Sequence, residues 1–186
     1  PYYKLTDKTS DAYIQWKLET PSIVVDLFTG QIQVDVEDTH YETFRSLELS
    51  PIYKSSTVDA LVFDYFKNEM TSDTKMNIKR YIHYAPLCLV LSFKQFFRKS
   101  DIKFSETLDL SWYMSKKHIC PHKPIYKLCG IVLHGGDQGG GHYISATKCL
   151  GKWYLNNDSH TRQINISEVN ENSIYMLFYT LNNSSS

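Results

Sequence analysis

The sequence predicts an α+β domain dominated by antiparallel sheet. Three observations carry this. "IYKLCGIVLH", "HYISATKC" and "KWYLNND" are β-rich segments joined by glycine turns. "APLCLVLSFKQF" is the most apolar run, and its length and the Pro86 at its start favour a buried strand over a helix. Helix is expected only in two short stretches, 11–18 and 59–70, both in the N-terminal half.

In order along the chain, Asp11 to Leu18 reads as a short helix stopped before Pro21. Ile23, Val24, Val25, Leu27 and Phe28 are strand formers, and Thr29-Gly30 makes a turn. Ile32, Val34 and Val36 alternate with Gln and Asp, which predicts a half-exposed strand. Phe44, Leu47 and Leu49 alternate again up to Pro51, so the two segments form a long hairpin joined by polar "EDTHYE". Leu61, Val62, Tyr65 and Phe66 predict a helix over 59–70. "TSDTKMNIKRY" reads as a polar connection, "DIKFSETLDLSWYM" contains a short strand, and "KHICPHKP" is a loop held by two prolines. "SIYMLFYTL" closes as an apolar strand. The tail, 181–186, is expected to be disordered.

Bulk properties narrow the function classes. A chain of 186 residues with 42% hydrophobic content builds one domain with a core. Lys+Arg and Asp+Glu balance at 20 each and no basic run stands out, which argues against nucleic acid as a partner. No apolar run approaches the roughly 20 residues of a membrane span, and the start lacks a charged-then-apolar signal peptide. No initiator Met is present, so the chain reads as a fragment or a processed product. Cys88, Cys120, Cys129 and Cys149 form no CxxC pair, which fits buried thiols in a reducing compartment, cytoplasmic or nuclear. The glycosylation sequons at Asn157 and Asn165 are read as chance.

Chemistry concentrates in "HGGDQGGGHYISA", His134 to Ala146, followed by "KWYLNND", Lys152 to Asp158. A histidine serves as a proton shuttle when one ring nitrogen has an orienting partner and the other faces a nucleophile. His142 lies on a predicted strand, and Asn157 or Asp158 ends the next one. A hairpin of that kind brings the two positions side by side. Gly139, Gly140 and Gly141 let a second backbone approach closely. The competing reading, a lone core or surface histidine, has about even weight on this pattern alone.

These residues resemble the histidine box of the ubiquitin-specific protease family: an apolar strand ending in His and Gly, then Gly-His-Tyr, then Trp-Tyr with Asn-Asp. "AYIQWKLETPSIVVDLFTGQIQ" resembles the segment leading into that family's fingers, through Asp-Leu-Phe-x-Gly-Gln. "APLCLVLSFKQF", "DIKFSETLDLSWYM" and "YMLFY" resemble later palm strands, in family order over roughly residues 11–180.

The resemblance implies a papain-like cysteine protease fold with an antiparallel palm sheet, about 86–180, and fingers, about 22–85, within a catalytic-domain portion spanning 1–180. It gives His142 the general-base position and Asn157 the third triad position, with Asp158 as its neighbour. Gly140, Gly141, Tyr143 and Trp153 make up the substrate-binding set. Gly141 and Tyr143 flank the channel for the substrate's C-terminal Gly-Gly, and Trp153 props it from the core.

Two family features find no match. Nothing here resembles the cysteine box, approximately Asn-x-Gly-Asn-Thr-Cys-Tyr-x-Asn, so the thumb is largely absent from these residues. The paired CxxC motifs of zinc-bearing fingers are replaced by "VDVEDTHYETFRSLEL", so the fingers are expected to be short and zinc-free. Cys120 with His118 and His122 is a weak metal alternative; the expectation is no metal and no cofactor. The expected partner is ubiquitin or a ubiquitin-like modifier, together with a separate segment carrying the nucleophilic cysteine. The alternative is a catalytically inactive ubiquitin-binding or scaffold domain.

Overall fold

The computed structural model describes residues 10–51, 53–70, 76–95, 99–120, 122–137 and 140–182. Gly139 and the tail residues 183–186 lie outside them. The chain opens with helices α1 (Ser10–Glu19) and α2 (Ile23–Phe28). A first sheet follows, built from β1 (Gly30–Asp35), β2 (Thr39–Phe44), β5 (Glu69–Met70) and β6 (Asn77–Tyr84) in the order β2-β1-β6-β5. Between its strands the chain forms β3 (Leu47–Leu49), β4 (Ser55–Thr57) and helix α3 (Val58–Phe66).

The larger sheet holds the rest. It comprises β7 (Cys88–Phe93), β9 (Thr107–Asp109), β10 (Ile125–Asp137), β11 (Gly140–Cys149), β12 (Lys152–Asn157), β13 (His160–Ile164) and β14 (Ile174–Leu181), with β3 added from the N-terminal half. Its order is β13-β12-β11-β10-β14-β7-β3, with β9 alongside β10. Neighbours are antiparallel except β3 and β7. The expected adjacency of the strands around Ile131, Tyr143 and Tyr154 holds, because these are β10, β11 and β12. The short strand β8 (Asp101–Lys103) pairs in parallel with β4.

The core lies where the large sheet meets α3 and the first sheet. Leu47, Leu91, Leu128, Ile131, Leu133 and Leu177 are all buried. Burying each such side chain contributes on the order of 1.5–3 kcal/mol. Buried tyrosines satisfy their hydroxyls on backbone carbonyls: Tyr126 donates to Pro86 O at 2.7 Å and Tyr179 to Ser105 O at 2.9 Å. β14 runs through Leu181, and the Asn182 N–H donates to Ile125 O, so order continues two residues beyond the expected end at 180.

Several local expectations are corrected. Residues 23–28 form helix α2 rather than a strand. Asp26 N–H bonds Ser22 O and Thr29 N–H bonds Val25 O, while Val25 is buried and Ile23 and Val24 are exposed. β-Branched residues tolerate a helix at small cost, and both edges of the next strand, β1, are already taken by β2 and β6. The long hairpin is shorter than expected. β2 starts inside "EDTHYE" and ends at Phe44, and Leu47 and Leu49 then pair with β7 in the other sheet. The ring of Phe44 fills the space a side chain at Gly30 would need. β1 is largely buried rather than half exposed, since Gln31 is inside as well as Ile32 and Val34. Helix α3 stops at Phe66 because Lys67 is extended (ψ 151°). Residues 77–81 of the expected polar connection belong to strand β6, whose Lys79 and Arg80 broke its apolar pattern. "DIKFSETLDL" holds two short strands, β8 and β9.

Candidate active site

The site is built at one end of β10, β11 and β12. In the β10–β11 ladder, His134 faces Tyr143, Gly135 faces His142 and Gly136 faces Gly141. Side chains alternate across a strand, so His142 projects on the face opposite Gly141 and Tyr143. Its direct cross-strand neighbour is Gly135, and a Cβ placed there would meet nothing within 4 Å. The space beside the imidazole is therefore open on the β10 side. Gly136 (φ +127°) is needed at the tip, where a side chain would strike the Gly140 carbonyl and lie 2.6 Å from Gly141 Cα.

The partner of His142 comes from β12. The turn joining β11 to β12 is Leu150-Gly151, both at positive φ, as a type I′ turn requires. The register runs from Cys149 opposite Lys152 to Ser145 opposite Asn156. Continuing it places Asn157 opposite Ile144, two residues from His142 on the same face. His142 Nε2 lies 2.6 Å from Asn157 Oδ1. An amide oxygen only accepts, so Nε2 carries the proton and Nδ1 is left with a free lone pair. Asp158 Oδ2 is 3.8 Å from the same Nε2 and its side chain is 79% exposed, which makes it the weaker partner. Asp158 occupies the next turn, at φ +50°.

The neighbouring Asn156 points to the other face and pins the local sheet. Its Nδ2 donates to Thr147 Oγ1 at 3.1 Å, and its Oδ1 accepts from Thr161 Oγ1 at 3.1 Å. β11, β12 and β13 are thereby tied side chain to side chain behind Asn157. Trp153 is buried on β12 at 5% exposure, with Lys148 Nζ 5.6 Å from the ring centroid. It touches the core rather than the surface. Gly140, Gly141 and Tyr143 are exposed at the start of β11.

Cys149, Cys129 and Cys88 all lie far along the sheet from this imidazole. Cys149 is on the same strand, seven residues along, which is roughly 23 Å in extended chain. Cys129 precedes Gly130, whose ladder partner is Thr147, so it is level with residue 148, roughly 20 Å away. Cys88 faces Thr180, which faces Lys127, eight strand positions from Gly135 and roughly 26 Å off. Burial pushes the Cys88 and Cys129 thiols up. Cys120 is buried in the loop before β10, with its Sγ donating to His122 O. Among the described residues, no three His, Cys, Asp or Glu side chains converge as a metal site would require, and no helix is long and apolar enough to cross a membrane.

The sequence pattern put His142 with Asn157 and Asp158, and the structure brings all three together, Asn157 closest. It also reveals participants that spacing did not single out. The rings of His134 and Tyr143 stack with centroids 4.4 Å apart, and Tyr175 of β14 completes the group, 5.5 Å from Tyr143. The one local signal was that His134 ends an apolar strand just before the glycines.

Residues 4–179 match the family model described as ubiquitin carboxyl-terminal hydrolase. Ubiquitin carboxyl-terminal hydrolase 8 of Saccharomyces cerevisiae is 34% identical over 137 residues, covering 64% of this chain and 29% of the relative. Ubiquitin carboxyl-terminal hydrolase 25 of Arabidopsis thaliana is 31% identical over 193 residues, covering 87% and 28% respectively. Among solved structures, a chain of the SAGA DUB module Ubp8/Sgf11/Sus1/Sgf73 bound to monoubiquitin superposes with a TM-score of 0.78 at 26% identity, covering 94% of this chain and 47% of that one. The chain thus spans less than a third of these curated relatives and just under half of the solved chain.

Proposed function

Because this chain belongs to the ubiquitin carboxyl-terminal hydrolase family, we propose that it supplies the histidine half of a thiol-dependent deubiquitinase centre. His142 is the general base, Asn157 its orienting acceptor, and the nucleophilic cysteine comes from residues outside these 186. The observation that carries this reading is the 2.6 Å contact between His142 Nε2 and Asn157 Oδ1, which fixes the tautomer and leaves the Nδ1 lone pair for a proton, next to a strand where Gly135, opposite His142, leaves open space.

A thiol placed in that space gives its proton to Nδ1, and the thiolate attacks the carbonyl carbon of the isopeptide bond after ubiquitin's last glycine. When the tetrahedral adduct collapses, the imidazolium returns the proton to the leaving lysine amine. Water, deprotonated by the same nitrogen, then hydrolyses the thioester and releases the thiol. Gly140, Gly141 and Tyr143 are exposed at the start of β11, Gly141 and Tyr143 on the face opposite His142, and are proposed to contact the substrate's C-terminal tail there, while Trp153 anchors the adjacent β12 in the core. The first sheet acts as the fingers and the large sheet as the palm. The partner is ubiquitin or a ubiquitin-like modifier, and four unpaired thiols fit a reducing compartment, cytoplasmic or nuclear.

A second reading, a ubiquitin-binding or scaffold domain without turnover, draws on the distance of Cys88, Cys129 and Cys149 from His142. One experiment separates the two. The complete natural protein and its His142→Ala form are assayed on ubiquitin bearing a C-terminal fluorophore. Turnover abolished by the substitution supports the enzyme. Turnover unchanged overturns the role of His142. Ubiquitin binding without turnover in either form supports the scaffold.

A further inference from the structure

We propose that His134 is a positioning residue for His142, acting as a brace under the strand that carries it. The two residues flanking His142 both rest on the His134 ring. Tyr143 stacks on it with a centroid separation of 4.4 Å and an interplanar angle of 30°. On the other side, a Cβ on Gly141 would occupy the place of His134 Nε2, so glycine there lets the ring slide beneath the backbone. Since 141 and 143 share one face of β11 and His142 points to the other, the imidazole of His134 spans the strand directly behind the proposed base.

The brace is itself held from the connection before β8 and from β14. The Lys99 Nζ donates to His134 O at 2.6 Å, fixing the backbone at the end of the apolar part of β10. Tyr175 of β14 closes the cluster, 6.2 Å from His134 and edge-on to Tyr143. This support is needed because β11 begins at Gly140-Gly141, where the backbone has no side chain of its own to lock its path. A shift of about 1 Å at His142 would break the 2.6 Å contact to Asn157 and release the ring to either tautomer.

The catalytic meaning of this brace rests on the reading of His142 as the base, but its test does not need turnover. In the 186-residue chain with 15N-labelled histidine, long-range 1H–15N correlation reads the tautomer of His142 above neutral pH. The expected result is a predominantly Nε2–H ring in the wild type and in His134→Phe, which keeps a flat ring under Tyr143. In His134→Ala a mixture of tautomers is expected, with the backbone amide spectrum otherwise preserved. Should the alanine form lose its fold, His134→Gln, which keeps bulk but not a stacking ring, is expected to show the same mixture. An unchanged Nε2–H ring in the folded Ala or Gln variant overturns the proposal. In the complete protein, where it turns over ubiquitin substrates, His134→Ala should lower kcat about tenfold with KM within about twofold, and His134→Phe should restore it. Equal loss in the Phe and Ala forms also overturns it. Absence of turnover in every form counts against the enzymatic reading alone.

Discussion

His142 and Asn157 meet at 2.6 Å although they do not face each other in the β11–β12 ladder. The contact is diagonal, between positions two residues out of register on one face, and it depends on the tie of Asn156 to Thr147 and Thr161 behind it. Removing the acceptor in Asn157→Ala should therefore lower turnover of the complete protein by about 10- to 100-fold, through loss of ring orientation. His142→Ala should cost about 10²- to 10⁴-fold, the usual worth of a general base. Asn157→Asp, which keeps an acceptor at the same place, should retain most activity, and Asp158→Ala should change it little. Steady-state kinetics on a ubiquitin fluorophore substrate orders these four variants. Asp158→Ala proving more damaging than Asn157→Ala would reverse the assignment.

The vacancy over Gly135 should be needed for approach to the imidazole. Gly135→Val has room for its side chain in the isolated fold, yet places it directly opposite His142 at a cross-strand separation of about 5 Å. The expected outcome is an unchanged melting temperature with kcat/KM reduced at least tenfold, about 1.4 kcal/mol of transition-state stabilisation. Full activity in that variant would mean that the nucleophile and substrate come from another side.

Trp153 tests the support behind the site. It is buried, and truncation to alanine removes most of a large ring from the core. Trp153→Ala should destabilise the fold by about 3–5 kcal/mol, a fall of roughly 10 °C in Tm by calorimetry. A loss of activity with no change in Tm would instead make it a direct substrate contact.

The four thiols should be bystanders. The 186-residue chain should take up no label at a single cysteine from a ubiquitin electrophile probe, and should not hydrolyse ubiquitin C-terminal derivatives. A small disulfide reagent should attack exposed Cys149 first, and should be slow at Cys88 and Cys129, whose thiols burial pushes up. Stoichiometric probe labelling of any of the four, read by mass spectrometry, would relocate the nucleophile.

Stability should fall on mild acidification through His83. The residue is 1% exposed, with Nδ1 3.2 Å from Ser115 Oγ and, among the described residues, no partner on Nε2. Burial lowers its pKa from 6.5, and nearby His118 lowers it further. The folded state thus holds this ring neutral while the unfolded chain takes up a proton near pH 6.5. The contribution is fully present above that pH and is lost as pH falls from it through the lower folded value, at up to about 1.4 kcal/mol per pH unit. Denaturant titrations from pH 8 to 5 should show this slope, and His83→Phe should remove it. An identical slope in that variant would assign the effect elsewhere.

The alternation of apolar residues from 125 to 157, the glycines between segments and the apolar run at 88–93 were enough to place β7, β10, β11 and β12 and to bring His142 beside Asn157 or Asp158, the choice of Asn157 coming from the family resemblance. These are local signals: side-chain period and turn chemistry act over a few residues and are written directly in the chain. What the local pattern misjudged was decided at longer range. Residues 23–28 are strand formers that fold as a helix because β1 has no free edge beside them. Residues 47–49 leave their hairpin to lie along β7, forty residues further on. Lys79 and Arg80 lie on a strand whose partners, β1 and β5, supply the pairing that the polar pattern concealed. The stacking of His134 under Gly141 and Tyr143 belongs to the same class. It exists only in one register of β10 against β11, and a slip of one residue would turn the His134 ring to the other face of the sheet. Register and sheet order are settled by the sum of non-local burial and pairing, which no short window of sequence contains.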